Sequence, residues 1–237
     1  MSGEQVLYNR PLPGARVNMA HPLAQGLVGC WLLNEQDGLR AMDSTPYGNH
    51  GRLTGFISPI PGRFGGPYFD GTDDRIVITS PPSLPLGAAP CTYEVWFQAQ
   101  RQPAATLERF LSRGASAFDL EQAGDAAIGG IAANNLGFYV VGSHVDVSET
   151  AVANTWYHFV VTYDGITARS YVNAVAKTTQ VVTANQSGDL VIGATGSVSY
   201  IESRIALVRA WSKALVQSEI TALYLSPYAP MGMKMFL

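Results

Sequence analysis

Between residues 26 and 211 the chain is cut into short apolar runs, each closed by Gly, Pro, Asp or Asn. Thr92-Tyr93-Glu94-Val95-Trp96-Phe97-Gln98 alternates, with Tyr93, Val95 and Phe97 on one face and Glu94, Trp96 and Gln98 on the other. Residues 156–163 carry bulky side chains on both faces, which predicts an inner strand packed on the core and under a covering segment. Residues 75–79, 136–141, 168–173 and 189–193 read as further strands, and Asp164-Gly165 as a hairpin turn whose glycine supplies positive φ. Many short antiparallel strands with this punctuation imply a two-sheet sandwich or jelly roll. One short helix stands apart. Ile220, Leu223 and Tyr224 recur at i, i+3 and i+4, Glu219 suits the helix start, and Pro227 closes the segment.

Composition agrees with one large β domain. The 237 residues are 47% hydrophobic, enough for a sizeable core, while charged residues make up 14%, well under the usual quarter. A net charge of -3 without any Lys/Arg run offers no footprint for nucleic acid. No stretch approaches the ~18 consecutive apolar residues of a membrane helix, and the first residues lack the basic and apolar regions of a secretion signal. Synthesis in a cytoplasm is the expectation, unless the protein leaves as part of a larger particle. Cys30 and Cys91 then read as buried free thiols, with a pairing across adjacent strands left open.

A set of segments in fixed order carries a resemblance. Residues 26–35 (Gly-Leu-Val-Gly-Cys-Trp-Leu-Leu-Asn-Glu) come first, then 43–51 (Asp-Ser-Thr-Pro-Tyr-Gly-Asn-His-Gly) and 69–74 (Phe-Asp-Gly-Thr-Asp-Asp). Residues 154–165 and 205–215 follow. Together they resemble the laminin-G-like, concanavalin A-type lectin/glucanase family. That implies an all-β, antiparallel two-sheet jelly-roll sandwich over residues 24–225 with one short C-terminal helix. Within it, Trp31, Trp156 and Trp211 read as core and Gly48, Gly51, Gly71 and Gly165 as positive-φ turn residues.

The resemblance also implies what chemistry to look for. Many members of the fold hold calcium at the sandwich edge, and the matching candidates are Asp43, a carbonyl near Asn49, and Asp73 or Asp74. A family-like last strand would add an Asp where this chain has Ala206, which weakens the site; otherwise Asp43 forms an Asx turn. No other cofactor is expected. The fold also includes glycan-cleaving enzymes with paired carboxylates. Asp119 and Glu121 share a strand face, but the Glu-x-Asp-x-x-Glu glucanase pattern is absent, so no enzyme is expected. His21, His50, His144 and His158 are scattered without zinc spacing.

The ends differ from the middle. Residues 1–23 read as an extended docking arm with Arg10, Pro11, Pro13 and Arg16, and residues 226–237 as a Pro-broken tail ending in Met233, Met235 and Phe236. The opening and the end resemble laminin-G-like proteins of tailed phages. The resemblance therefore implies a non-enzymatic virion protein, a capsid decoration or accessory head or tail component, docked by its arms on major capsid or tail proteins and sister subunits. Such arms often swap into trimers, though the sequence counts no subunits. It would sit on the virion surface, without membrane insertion. The alternative is a carbohydrate-binding adhesion module for host polysaccharide, with Tyr47, Asn134, Asn135 and Tyr200 as glycan contacts.

Overall fold

The structure, a computed structural model, describes residues 10–35, 38–56, 65–99, 106–114 and 117–232. The strands are β1 (Leu27–Trp31), β2 (Arg40–Ala41), β3 (Gly51–Thr54), β4 (Tyr68–Asp70), β5 (Arg75–Ile78), β6 (Cys91–Ala99), β7 (Leu107–Arg113) and β8 (Phe118–Ala123). They continue as β9 (Asn135–Val140), β10 (Ser143–Thr150), β11 (Trp156–Tyr163), β12 (Thr167–Val172), β13 (Val175–Val181), β14 (Leu190–Ile192) and β15 (Glu202–Trp211). One α-helix, α1 (Gln217–Leu225), follows. A seven-stranded sheet runs β1-β15-β6-β11-β12-β13, with β4 also on β15, and an eight-stranded sheet runs β10-β9-β8-β7-β14-β5-β3-β2. Every strand pair is antiparallel, as a jelly roll requires.

Alternation in β6 decides which residues meet between the sheets. Tyr93, Val95 and Phe97 enter the inter-sheet core, where the Phe97 and Phe110 rings lie 3.9 Å apart. Trp96 points the other way, into a second apolar layer on the outside of the seven-stranded sheet. That layer holds Trp156, Val160, Tyr171 and Trp211 from the sheet, Ile220 and Leu223 from α1, and Val17 and Tyr228 from the two terminal segments. The seven-stranded sheet is thus covered on both faces, which explains the bulk on both sides of β11. Cys91 belongs to the inner layer and Cys30 to the outer one, so both remain free thiols. Burial raises the Cys30 pKa to about 12.

The terminal segments cover their own domain. Val17 N–H donates to Ser44 O at 3.0 Å, and Asn18 N–H to Pro230 O at 2.8 Å, so the two segments also touch each other. The residues named as a docking arm are placed accordingly. Pro11 is buried and its carbonyl accepts from Asn34 Nδ2 at 2.8 Å. Arg16 Nη1 donates to Asp43 O at 3.1 Å, and Arg10 reaches the carbonyls of Leu32, Leu33 and Ala206. Pro13 and Arg16 are exposed, and Arg10 is partly buried. Residues 10–23 are therefore a strap on the sandwich, held by Val17 in the outer apolar layer and by hydrogen bonds from Arg10, Arg16 and Val17 to nearby carbonyls. Met233, Met235 and Phe236 lie outside the described residues.

Turn chemistry follows the sequence with one correction. Gly48, Gly71 and Gly165 have φ of 69°, 76° and 103°. Asp164 Oδ1 accepts from the N–H groups of Ile166 and Thr167, closing the predicted hairpin. Gly51 instead sits in β3 with ordinary φ. A Cβ there would lie 2.4 Å from Ile76 Cγ2, so close packing in the core, not backbone conformation, requires glycine. At α1, Glu219 Oε2 accepts from Val216 N–H at 2.9 Å and Oε1 from Lys213 Nζ at 2.6 Å, satisfying the helix start.

The outer layer buries a charged triad. Glu94 and His158 are completely buried, and Arg209 nearly so. Glu94 receives Arg209 Nε and Nη2 at 2.5 Å each, and His158 Nε2 lies 2.7 Å from Glu94 Oε1. Arg209 Nη1 then donates to Pro227 O at 2.7 Å, tying down the C-terminal segment. Burial alone would raise the Glu94 pKa, but the Arg209 charge and the His158 hydrogen bond outweigh it and bring it to about 2. Because the folded value is depressed, this contribution is complete above the ordinary value of 4.5 and is lost as pH falls toward about 2. Glu94→Gln should cost about 3–5 kcal/mol, since it strands Arg209 in a buried site. Urea unfolding at neutral pH reads that loss, and the variant should show a weaker acid dependence between those two pH values.

Candidate functional site

The outer face of the eight-stranded sheet carries the main unexplained polar chemistry. In β8, Phe118 and Leu120 point into the core, so Asp119 and Glu121 point outward. A bulge in β7 between Arg109 and Leu111 lets Phe110 and Leu111 both reach the core and sets Arg109 beside the two acids. Arg109 Nε lies 3.0 Å from Asp119 Oδ2 and 3.1 Å from Glu121 Oε2. Ser112 Oγ donates to Asp119 Oδ1 at 2.7 Å, and His144 Nδ1 is 2.6 Å from Glu121 Oε1.

A folded-back loop covers this face. Ile131 packs over Gly137, where a Cβ would stand 2.2 Å from Ile131 Cδ1, and Gly129 lies on the His144 ring. Asp146 holds the loop by accepting from Ala132 N–H at 2.8 Å and from Asn135 Nδ2 at 2.9 Å. Both acids are consequently shut from solvent, while His144 and Tyr139, their rings 4.7 Å apart, remain half-buried at the rim. Burial raises the Asp119 pKa, opposed by Arg109 and Ser112. One guanidinium thus lies between two buried carboxylates, beneath two half-buried aromatic rings. Sequence reading found the Asp119/Glu121 pair but not Arg109, Ser112 or His144, since register and a bulge bring them together.

The glycan candidates divide between the two ends of the sandwich. β5 and β7 both run antiparallel to β14, and β9 runs parallel to β7 through β8, so the starts of β5, β7 and β9 share one end. Asn134, Asn135 and Tyr200 lie there. Tyr47, 52% exposed, precedes β3, which runs opposite to β5, and so lies at the other end. Asn135 is engaged by Asp146 and Thr150. Tyr200 receives Arg75 Nη1 on its hydroxyl at 2.6 Å. Asn134, at φ 62°, keeps a buried Oδ1 with no partner among the described residues.

The calcium candidates separate as well. Asp43 is fully buried, and its oxygens accept from Cys30 N–H, Thr45 N–H, Thr45 Oγ1 and Asn49 N–H. The Asn49 carbonyl accepts from Trp31 Nε1 at 2.7 Å. With all these oxygens committed, Asp43 and Asn49 form a loop tie instead of a cation site. Asp73 and Asp74 join Asp70, their carboxylate oxygens all within 4.8 Å. That trio is an oxygen set a hard cation could use. Burial, together with the Asp70 and Asp73 charges, raises the Asp74 pKa to about 6 despite the Asp70 N–H bond. A raised folded value means the contribution is present below the ordinary 3.8 and is lost as pH rises through about 6. Asp74→Asn, which keeps an acceptor for Asp70 N–H, should therefore raise stability at pH 7 and leave it nearly unchanged at pH 3.5; thermal melts at both values check this.

Comparison with known proteins places this geometry. Solved structures share the fold at low identity. Trypanosoma rangeli sialidase matches with TM-score 0.65 and 14% identity over 87% of this chain and 33% of that one. The botulinum neurotoxin serotype D binding domain gives 0.61 and 13% over 84% and 51%, and the receptor-binding domain of the C/D mosaic serotype 0.64 and 14% over 85% and 51%. The chain thus spans a third to about half of these proteins, and the likeness shows the fold alone. No curated protein matches the sequence. The family model of the concanavalin A-like lectin/glucanases superfamily matches residues 70–221, from β4 into α1. The chain belongs to the concanavalin A-like lectin/glucanase superfamily.

Proposed function

We propose that this protein is a non-enzymatic, lectin-like recognition module displayed on a larger assembly, a phage capsid or tail, with its eight-stranded sheet facing outward. The observation that carries this is the placement of both terminal segments on one face, joined at Asn18 and Pro230. A carrier gripping residues beyond them would hold the seven-stranded side and leave the charged face free. Tyr139 and His144, half-buried at the rim, suit the apolar face of a sugar ring.

Support for a non-enzymatic role comes from the same two acids. A glycosidase needs one carboxyl able to give a proton to the leaving oxygen, whereas here both face a single guanidinium under a covering loop. The named neighbours include a sialidase as well as toxin binding domains, so the fold is compatible with either role.

Two measurements test the reading. Tyr139→Ala should weaken glycan binding about tenfold, a loss of about 1.4 kcal/mol, with unchanged thermal stability; silence of the intact protein on a glycan array, with and without calcium, sinks the lectin assignment. Deleting residues 1–9 and 233–237 should abolish attachment to purified particles while glycan binding persists. If the shortened protein still saturates particles at unchanged affinity, display through the terminal segments is wrong.

A further inference from the structure

Three backbone carbonyls converge on one nitrogen of Arg10. Its Nη2 donates to Leu32 O, to Leu33 O at 3.2 Å and to Ala206 O at 2.5 Å, across 22, 23 and 196 positions of chain. That nitrogen has two hydrogens for three acceptors. Two backbone irregularities aim the oxygens. Leu33 adopts φ 51°, a left-handed conformation costly for a branched side chain. Ala206 is the extra residue of a bulge, since Ile205 pairs with Phe97 and Leu207 with Trp96, so its carbonyl leaves the ladder.

A carboxylate adds negative charge to the surroundings of Arg10. Glu35 interacts electrostatically with Arg10, and its Oε1 accepts from Met42 N–H at 2.7 Å. Its Oε2 is buried with no hydrogen-bond partner among the described residues. Tyr228, from the C-terminal segment, also interacts with the guanidinium. Burial opposes the charge on Arg10, and its Nε and Nη1 are buried without a hydrogen-bond partner among the described residues, so the cradle holds a cation at a desolvation cost that these oxygens offset only in part.

We propose that this cradle is a cation site whose resident ion is the Arg10 guanidinium, and that emptying it creates a site for a hard divalent cation. Converging carbonyls repel one another unless positive charge lies between them. Converging carbonyl oxygens with a carboxylate's charge nearby suit calcium, while magnesium demands a tighter octahedron. Arg10 therefore does for this sandwich what a structural ion would do. It joins the end of β1, the bulge of β15 and both terminal segments, and the protein needs no metal there.

The test is thermal unfolding of the full chain with Asp73→Asn and Asp74→Asn in the background, so that the acidic trio does not report. In EDTA, Arg10→Ala should melt at least about 4 °C below its parent, and saturating calcium chloride should restore most of that, with magnesium chloride restoring less. The parent should hold its Tm in both conditions. Arg10→Lys, which keeps the charge, should stay within about 2 °C of the parent and ignore calcium. If Arg10→Ala folds only when calcium is supplied, the proposal stands. An unshifted Tm for Arg10→Ala in EDTA, destabilisation that calcium does not relieve, an equal calcium response in the parent, or an Arg10→Lys protein as unstable as Arg10→Ala overturns it.

Discussion

Covering the seven-stranded sheet on both faces is the constraint on which the other features depend. A sandwich needs only one buried face per sheet, but β6, β11 and β15 carry Trp96, Trp156, Val160 and Trp211 outward. At ~1.5–3 kcal/mol for each large apolar side chain removed from water, leaving that layer open would be costly. Helix α1 and the two terminal segments cover it. Burying this face also buries the backbone ends and charges on it, and each must find an internal partner. The Glu94–His158–Arg209 triad and the Arg10 cradle are two solutions to that one problem. Each joins a sheet strand to a terminal segment, Arg209 through Pro227 O and Arg10 through the oxygens of Leu32, Leu33 and Ala206.

The eight-stranded sheet is built differently. Its outer face is polar, and a short loop covers only part of it. Asp119 and Glu121 are sealed beside Arg109, while Tyr139 and His144 stay at the rim. The molecule therefore has one face covered by residues 10–23, α1 and residues 226–232, and another that is polar and only partly covered.

Much of the architecture was legible because side-chain period is a local property. The alternation in residues 92–98 placed Tyr93 and Trp96 on opposite faces correctly, and the double-sided bulk of residues 156–163 pointed to a covered strand. Asp164-Gly165 announced its turn, and Ile220, Leu223 and Tyr224 their helix. Gly51 shows where local reading stops: its neighbour Ile76 is distant in sequence, so the packing reason for glycine was hidden. The Asp43 segment was recognisable as a motif, but whether its carboxylate faced an ion or backbone N–H groups depended on where β1 and residue 49 came to lie. Arg10 and Arg16 read as charges on a docking arm, but their acceptors within the same domain were hidden because these are carbonyls, which carry no residue-specific signature.

From sequence alone came the strand periods, the turn positions, the two free thiols' apolar settings and the family, since each rests on residues close together in the chain or on their order along it. Tertiary structure alone decided which charges meet, that Arg109 lies between Asp119 and Glu121, that Arg10 lies under the bulge at Ala206, and that residues 10–23 and 226–232 close over one sheet. The physical reason is that charges and carbonyls are matched across strands by register. A single bulge in β7 or β15 re-aims a partner without changing the local pattern of the sequence.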